Sequence, residues 1–341
     1  MTLSIPSRPT RTEMPPAPYV ERASDPEYLA RIQTLSAGSV HRSFDPYRDI
    51  DWDSPEFAID AGDPRWILSP ISDPLGAHPW YQALSEERRI AIGFARQANV
   101  TKVGLFFESV LIRGLVQTAM RMPNGSTEFR YCMHEITEEC NHIQMFQELI
   151  NRMGVDVPGM RWLYRRTSPV WPLIGAAMPV AFLYGILAGE EPIDHYQKDL
   201  IREGRSVPPA LLRTMEIHIA EEARHISFAY EFVRARVPDK DPISRALLSL
   251  WVPFIMRFLA GAIMVPPRPF ARELGIPSHV IREAFWRNPA SREILAGYFG
   301  DVRMLTEELG LMNPVARFAW RVLHIDGPAA RYRGEPKRRD W

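Results

Sequence analysis

Two Glu-x-x-His pairs, Glu139–His142 and Glu222–His225, each follow another glutamate by 31 residues: Glu108 precedes Glu139, and Glu191 precedes Glu222. Positions i and i+3 share one face of a helix, so each pair can offer a carboxylate oxygen and an imidazole nitrogen to one ion. A single pair is expected by chance about 0.7 times in a chain of this composition and constrains little. The repeated spacing constrains much more. From Glu108 the chain runs 14 residues to Met122, turns at Pro123–Gly125 and runs 13 from Ser126 to Glu139. Arms of that length span about 20 Å at 1.5 Å per residue and return the second glutamate to the level of the first. In the second hairpin 14 residues reach Arg205, the chain turns near Ser206–Val207, and 14 more lead from Pro208 to Glu222. Two antiparallel helical hairpins then bring four glutamates and two histidines to one height, as in bundles where two helices give a lone Glu and two give Glu-x-x-His.

The rest of the chain fits an all-α reading. Apolar periodicity is helical from Ser85 to Val237, with helices expected near 85–98, 100–122, 126–153, 173–204 and 208–237. Ser126 with Thr127 caps the third, and Gly154 ends it. A second helical group is expected near 243–265, 278–287, 290–309 and 313–323. The first 75 residues hold 11 of the 31 prolines, which predicts an extended arm over 1–75 with a short helix near Pro26–Leu35. Trp52, Phe57, Trp66 and Ile67 are expected to pack that arm onto the helical domain (76–325), and the first twenty residues are expected to be disordered. Residues 326–341 are expected to form a basic, solvated tail.

Burial turns the spacing into chemistry. Glu222 lies in a stripe of Leu211, Met215, His218, His225, Ala229 and Phe232; Glu139 lies with Cys132, Glu135, His142, Phe146 and Leu149. Glu108 sits among Leu105, Leu111, Ile112 and Leu115. Polar groups in such stripes are costly unless paired or metal-bound, and clustered carboxylates cannot all stay ionised without a cation. Mixed carboxylate and imidazole donors suit iron or manganese better than a thiolate-seeking ion. His218 lies four residues before Glu222 on the same face, and His-x-x-x-Glu-x-x-His has a chance expectation of about 0.02. It is either a seventh ligand or a core histidine that orients Glu222. Glu138 and Glu221 lie one face away, exposed or supporting the ligands from behind, whereas Glu135 faces inward and can hydrogen-bond a ligand. Cys140, His134 and His195 read as packing residues.

The segment His218-Ile-Ala-Glu-Glu-Ala-Arg-His225, with Glu139-x-x-His142, Glu108 and Glu191, resembles the p-aminobenzoate N-oxygenase family over roughly residues 85–235. The resemblance implies a ferritin-like helical bundle holding two iron ions, with Glu108, Glu139, His142, Glu191, His218, Glu222 and His225 as their ligands. It further implies O₂ as co-substrate and oxygen transfer to an amine, through hydroxylamine and nitroso to nitro, of the kind used in antibiotic biosynthesis. Pro192 directly after Glu191 disfavours helical geometry there, so a bulge and the alternative ligand Glu190 stay open.

Composition bounds the partners. Lys+Arg and Asp+Glu both number 41, a balance that argues against a nucleic-acid binder. Two cysteines and no apolar leader fit a reducing, cytoplasmic setting. Thr167–Gly189 and Leu247–Pro267 are long enough to cross a bilayer, but Pro169, Pro172 and Pro179 break the first and Arg257 charges the second, so buried helices are expected. No Gly-x-Gly-x-x-Gly occurs, so electrons are expected from a separate reductase or small reductant. The amine is free or carrier-tethered, and the Pro-rich arm fits a monomer or homodimer rather than a cage. Two other readings share the residues: a diiron hydroxylase or desaturase acting on C–H bonds, and a non-enzymatic ferritin-like metal-binding protein.

Overall fold

The computed structural model describes residues 25–203 and 207–335, and among them there is no strand. The expected disorder of the first twenty residues, and the turn at Arg205 and Ser206, lie outside the described residues. Six long helices dominate: α1 (Pro26–His41), α2 (Glu86–Ala119), α3 (Thr127–Met153), α4 (Pro179–Arg202), α5 (Pro209–Arg236) and α6 (Pro242–Met264). The fold is an all-α ferritin-like bundle, in which α2 pairs with α3 and α4 with α5 as two antiparallel hairpins.

Local chemistry sets most boundaries. Ser126 accepts the Phe129 N–H at 3.1 Å to start α3, and Gly154, at φ 65°, ends it. Where two helices were expected over 85–98 and 100–122, α2 runs unbroken for 34 residues from the cap at Ser85, because no Gly-Pro or turn chemistry falls at the proposed break. The expected helix 173–204 is instead two. Pro172–Ala177 ends at Met178, whose φ of −138° and ψ of 71° lie outside the helical region that Pro179 disfavours for its predecessor. The expected helix 290–309 likewise divides into Pro289–Gly297 and Gly300–Glu308.

The N-terminal region is more ordered than an extended arm. Asp25 caps α1, which runs six residues past the expected Leu35 and packs on α3 and α5. Its Tyr28 hydroxyl meets the buried Glu128–Arg236 ion pair, tying three helices together. Trp52 and Trp66 are buried, and Phe57 and Ile67 pack against the same core. Among the described residues one helical stretch, beginning with α6, is long and apolar enough to cross a membrane; 67% of its most apolar window is buried inside the protein, against α4.

Candidate metal centre

Helix α2 supplies Glu108, α3 supplies Glu139 and His142, and α5 supplies His218, Glu222 and His225; none is more than 4% exposed. Their donor atoms fall into two overlapping groups. One is Glu108, His142, His218 and Glu222, the other Glu139, His142, Glu222 and His225, and within each the atoms lie within 4.8 Å of one another. His142 Nδ1 is 3.4 Å from Glu139 and 3.6 Å from Glu222, and His225 Nδ1 is 3.0 Å from Glu139 and 3.5 Å from Glu222. His218 Nε2 is 3.3 Å from both Glu108 and Glu222. Spacing at i, i+3 and i+4 thus delivers one face of each helix to a common point.

The structure does not bring Glu191 to this centre. Consecutive helical residues are rotated by about 100°, and it is Glu190 that lines the chamber with Glu108, His218 and Glu222. Equal arms counted through the connecting segments point to Glu191, one residue away from the glutamate that lines the chamber. Counted along the helices themselves, Glu108 to Ala119 spans 119 − 108 = 11 residues and Thr127 to Glu139 spans 139 − 127 = 12. Glu190 to Arg202 spans 202 − 190 = 12 and Pro209 to Glu222 spans 222 − 209 = 13, preserving the one-residue offset that Glu191 would break. Helix α4 is continuous through Pro192, so the expected bulge does not interrupt it; Pro192 only deprives the Ala188 carbonyl of its usual donor. Glu191 instead joins His195 and Asp301: His195 Nε2 is 3.5 Å from the Glu191 carboxylate and 3.1 Å from that of Asp301. His195 is therefore more than packing: it is the cation between two buried carboxylates.

Behind the centre the two Glu-x-x-His helices exchange support. His142 Nε2 is 2.8 Å from Glu221 of α5, and His225 Nε2 is 2.7 Å from Glu138 of α3. Both carboxylates are buried rather than exposed, and Arg224 stands over the pair, 2.7 Å from Glu138 and 3.5 Å from Glu221. Arg224 is itself held by Ser39 of α1 and the Arg42 carbonyl, so the N-terminal region buttresses the site. The expected hydrogen bond from Glu135 is not present: the residue is fully buried, yet neither carboxylate oxygen has a partner. Burial, only partly relieved by nearby His225, pushes its carboxyl up to about 8.

The inner atoms test whether this set fits a metal. Both oxygens of Glu139 and of Glu190, Oε2 of Glu108 and of Glu222, and Nδ1 of His142 and of His225 are buried without a hydrogen-bond partner. Leaving so many polar atoms unsatisfied is prohibitive unless a cation sits among them. The charges agree. Burial and the neighbouring Glu139 push the Glu108 carboxyl far above its ordinary range, and burial with Glu222 does the same to Glu190. Burial would lower His142 and His225, but the surrounding carboxylates hold both well above the ordinary imidazole value. A bound dication answers this repulsion directly. His218 differs: burial brings it down to about 4, so it is neutral, and Gln197 Oε1 at 3.0 Å takes its Nδ1–H and leaves the Nε2 lone pair facing Glu108 and Glu222. The residues present can hold metal.

Comparisons agree with this geometry. Uncharacterised proteins of Mycobacterium bovis and Mycobacterium tuberculosis are 57% identical over 316 residues, covering 93% of this chain and 93% of each relative. No solved structure matches. The family model for p-aminobenzoate N-oxygenase AurF matches residues 25–310, spanning α1, the bundle and the helices that follow it, and the chain belongs to that oxygenase family.

Proposed function

We propose that the chain is a non-haem diiron oxygenase that uses O₂ to N-oxygenate an amine, with Glu108, Glu139, His142, Glu190, His218, Glu222 and His225 holding two iron ions. The observation that carries this reading is the buried set of unsatisfied carboxylate and imidazole donors, enriched by the third imidazole of His218. Two ferrous ions at such a site supply O₂ activation. The protein's own part is positional and electrostatic. His142 and Glu222 belong to both donor groups, so they tie the two groups together. Glu221 and Glu138 orient the two imidazoles from behind and raise their basicity. Phe107, Phe146 and Ile263 wall the chamber and keep bulk water from it.

For the first turnover the balance is R–NH₂ + O₂ + 2 e⁻ + 2 H⁺ giving R–NHOH + H₂O, with the electrons from an external reductant or reductase. The setting we infer is cytoplasmic, as a monomer or homodimer, in a secondary-metabolic pathway. A second reading, oxygenation or desaturation of a C–H bond, is favoured by one specific feature: the larger cavity beside the metal chamber is lined entirely by apolar residues and glycine.

The test is ferrous loading followed by plasma emission spectrometry, then exposure to amines, O₂ and a reductant with mass detection of the added oxygen. About two irons per chain and a hydroxylamine, nitroso or nitro product support the proposal. Loss of iron in Glu191→Ala, with retention in Glu190→Ala, would restore the other glutamate. No bound iron, manganese or zinc would overturn the metal centre itself.

A further inference from the structure

The chamber at the metal ligands has a volume of only about 50 Å³. A cavity of about 150 Å³ encloses benzene, so a chamber a third of that size has room for a reacting end and no more. The body of the substrate lies elsewhere, and an adjoining cavity offers a place for it. A cavity of about 340 Å³, lined by residues such as Leu111, Gly185, Trp251 and Ile255, shares Phe107 with the chamber. Leu111 lies one helical turn, about 6 Å, along α2 from the Phe107–Glu108 step. The Phe107 ring is seated directly on Gly189, where a Cβ would come within 1.9 Å of it, and it forms part of the wall of both spaces.

At its other side the apolar cavity shares Phe254 and Phe258 with a third space, also about 340 Å³. Four arginines line that basin, Arg161, Arg257, Arg268 and Arg282, and no aspartate or glutamate does. Among the described residues, none of the four is ion-paired to a carboxylate. Arg257 sits over Trp286, its guanidinium carbon 3.2 Å from the ring centroid, a contact made through the face of the group and not through its N–H edge. Nε of Arg161 is buried with no partner. Four cations around one basin without a carboxylate in its lining, Arg161 and Arg257 half-buried and Arg268 and Arg282 exposed, suit an anionic oxygen group attached to an apolar body.

We propose that the substrate is an anionic amphiphile, with its phosphate or carboxylate head on Arg161, Arg257, Arg268 and Arg282, its apolar body in the cavity behind Phe107, and its reacting end directed at the metal ligands. This rests on reading the centre as oxygen-activating, and it holds for an amine or a C–H target alike. A short charged arylamine fits less well, since the apolar cavity has no group to pair with its charge.

The test is equilibrium binding to the metal-loaded protein, independent of turnover, by calorimetry and by the fluorescence of Trp171, Trp251 and Trp286. The probes are decyl phosphate, decanoate, decanol and inorganic phosphate, each below its micelle concentration. Decyl phosphate or decanoate is expected to bind at least ~10-fold more tightly than decanol or inorganic phosphate, the effect of one or two charge-assisted hydrogen bonds. The double variant Arg257→Gln/Arg282→Gln should lose that preference while leaving decanol binding unchanged. Gly185→Leu should fill the cavity and weaken all three decyl probes; a Cβ there meets only Ile255, at 4.0 Å, so the helix tolerates it. Decanol binding as tightly as decyl phosphate overturns the head site. Undiminished binding to a folded Gly185→Leu protein overturns the cavity assignment. Inorganic phosphate binding as tightly as decyl phosphate reduces the basin to a simple anion site. A protein that binds these probes yet oxygenates nothing would refute the oxygenase reading while leaving the binding site for an anionic amphiphile standing.

Discussion

His142 of α3 and Glu221 of α5 lie 2.8 Å apart, and the same relation runs in reverse between His225 of α5 and Glu138 of α3, at 2.7 Å. Each inner histidine is therefore aimed by the helix that carries the other one. In both Glu-Glu steps, Glu138-Glu139 and Glu221-Glu222, the second glutamate faces the centre and the first serves the opposite imidazole. Removing one outer carboxylate should loosen a ligand it does not adjoin in sequence. Glu221→Ala is expected to weaken iron binding by about 10–100-fold, measured by competition with a chelator, with Glu221→Gln intermediate. Unchanged affinity in both variants would mean the centre does not depend on the exchange.

His218 is the one imidazole of the centre that is neutral on its own, with Nδ1–H committed to Gln197. His218→Ala is expected to retain most of its iron, because Glu108 and Glu222 remain, yet to lose oxygen transfer. Iron content and product yield on the same sample check this. Full turnover by the variant would favour a six-ligand hydroxylase.

Most of the centre was legible because helical spacing is a local property. Residues at i, i+3 and i+4 share a face whatever the rest of the chain does, which places Glu139 with His142 and His218 with Glu222 and His225. Glu190 was less legible, because choosing between adjacent glutamates requires the rotation of α4 about its axis. Packing fixes that rotation: Gly189 against Phe107, and Glu191 against His195 and Asp301. The roles of Glu138 and Glu221 depend on how closely α3 approaches α5, which no spacing rule reports. The order in the N-terminal region was underread for the opposite reason. Its prolines start α1 at Pro26 and single 3-10 turns at Pro55 and Pro64 instead of only preventing long helices.

The docking of that region onto α2 is testable at Gly93. A Cβ there would lie 1.9 Å from the Trp66 carbonyl oxygen, and the obstructing atom is backbone, so it cannot rotate away. Gly93→Ala should destabilise the protein by about 1–3 kcal/mol, in the range of overpacked cores, despite alanine's better helix propensity. Thermal melts against Gly125→Ala, where a Cβ meets nothing within 4 Å, provide the comparison.

His195 gives the fold a pH dependence of definite sign. Burial lowers its pKa, but Asp301 at 3.1 Å and Glu191 at 3.5 Å outweigh that and push it up to about 10, from an ordinary 6.5. A raised pKa means that the folded state holds the proton more tightly than the unfolded chain. The stabilisation is complete below about 6.5 and is lost as the pH rises through about 10. Asp301 also accepts the Gly334 N–H at 2.9 Å, so deprotonation should release the C-terminal segment along with α4. Denaturant midpoints of the metal-loaded protein should therefore fall between pH 7 and pH 10, and His195→Gln should start lower and flatten that slope. An equally steep slope in His195→Gln would assign the dependence to another group.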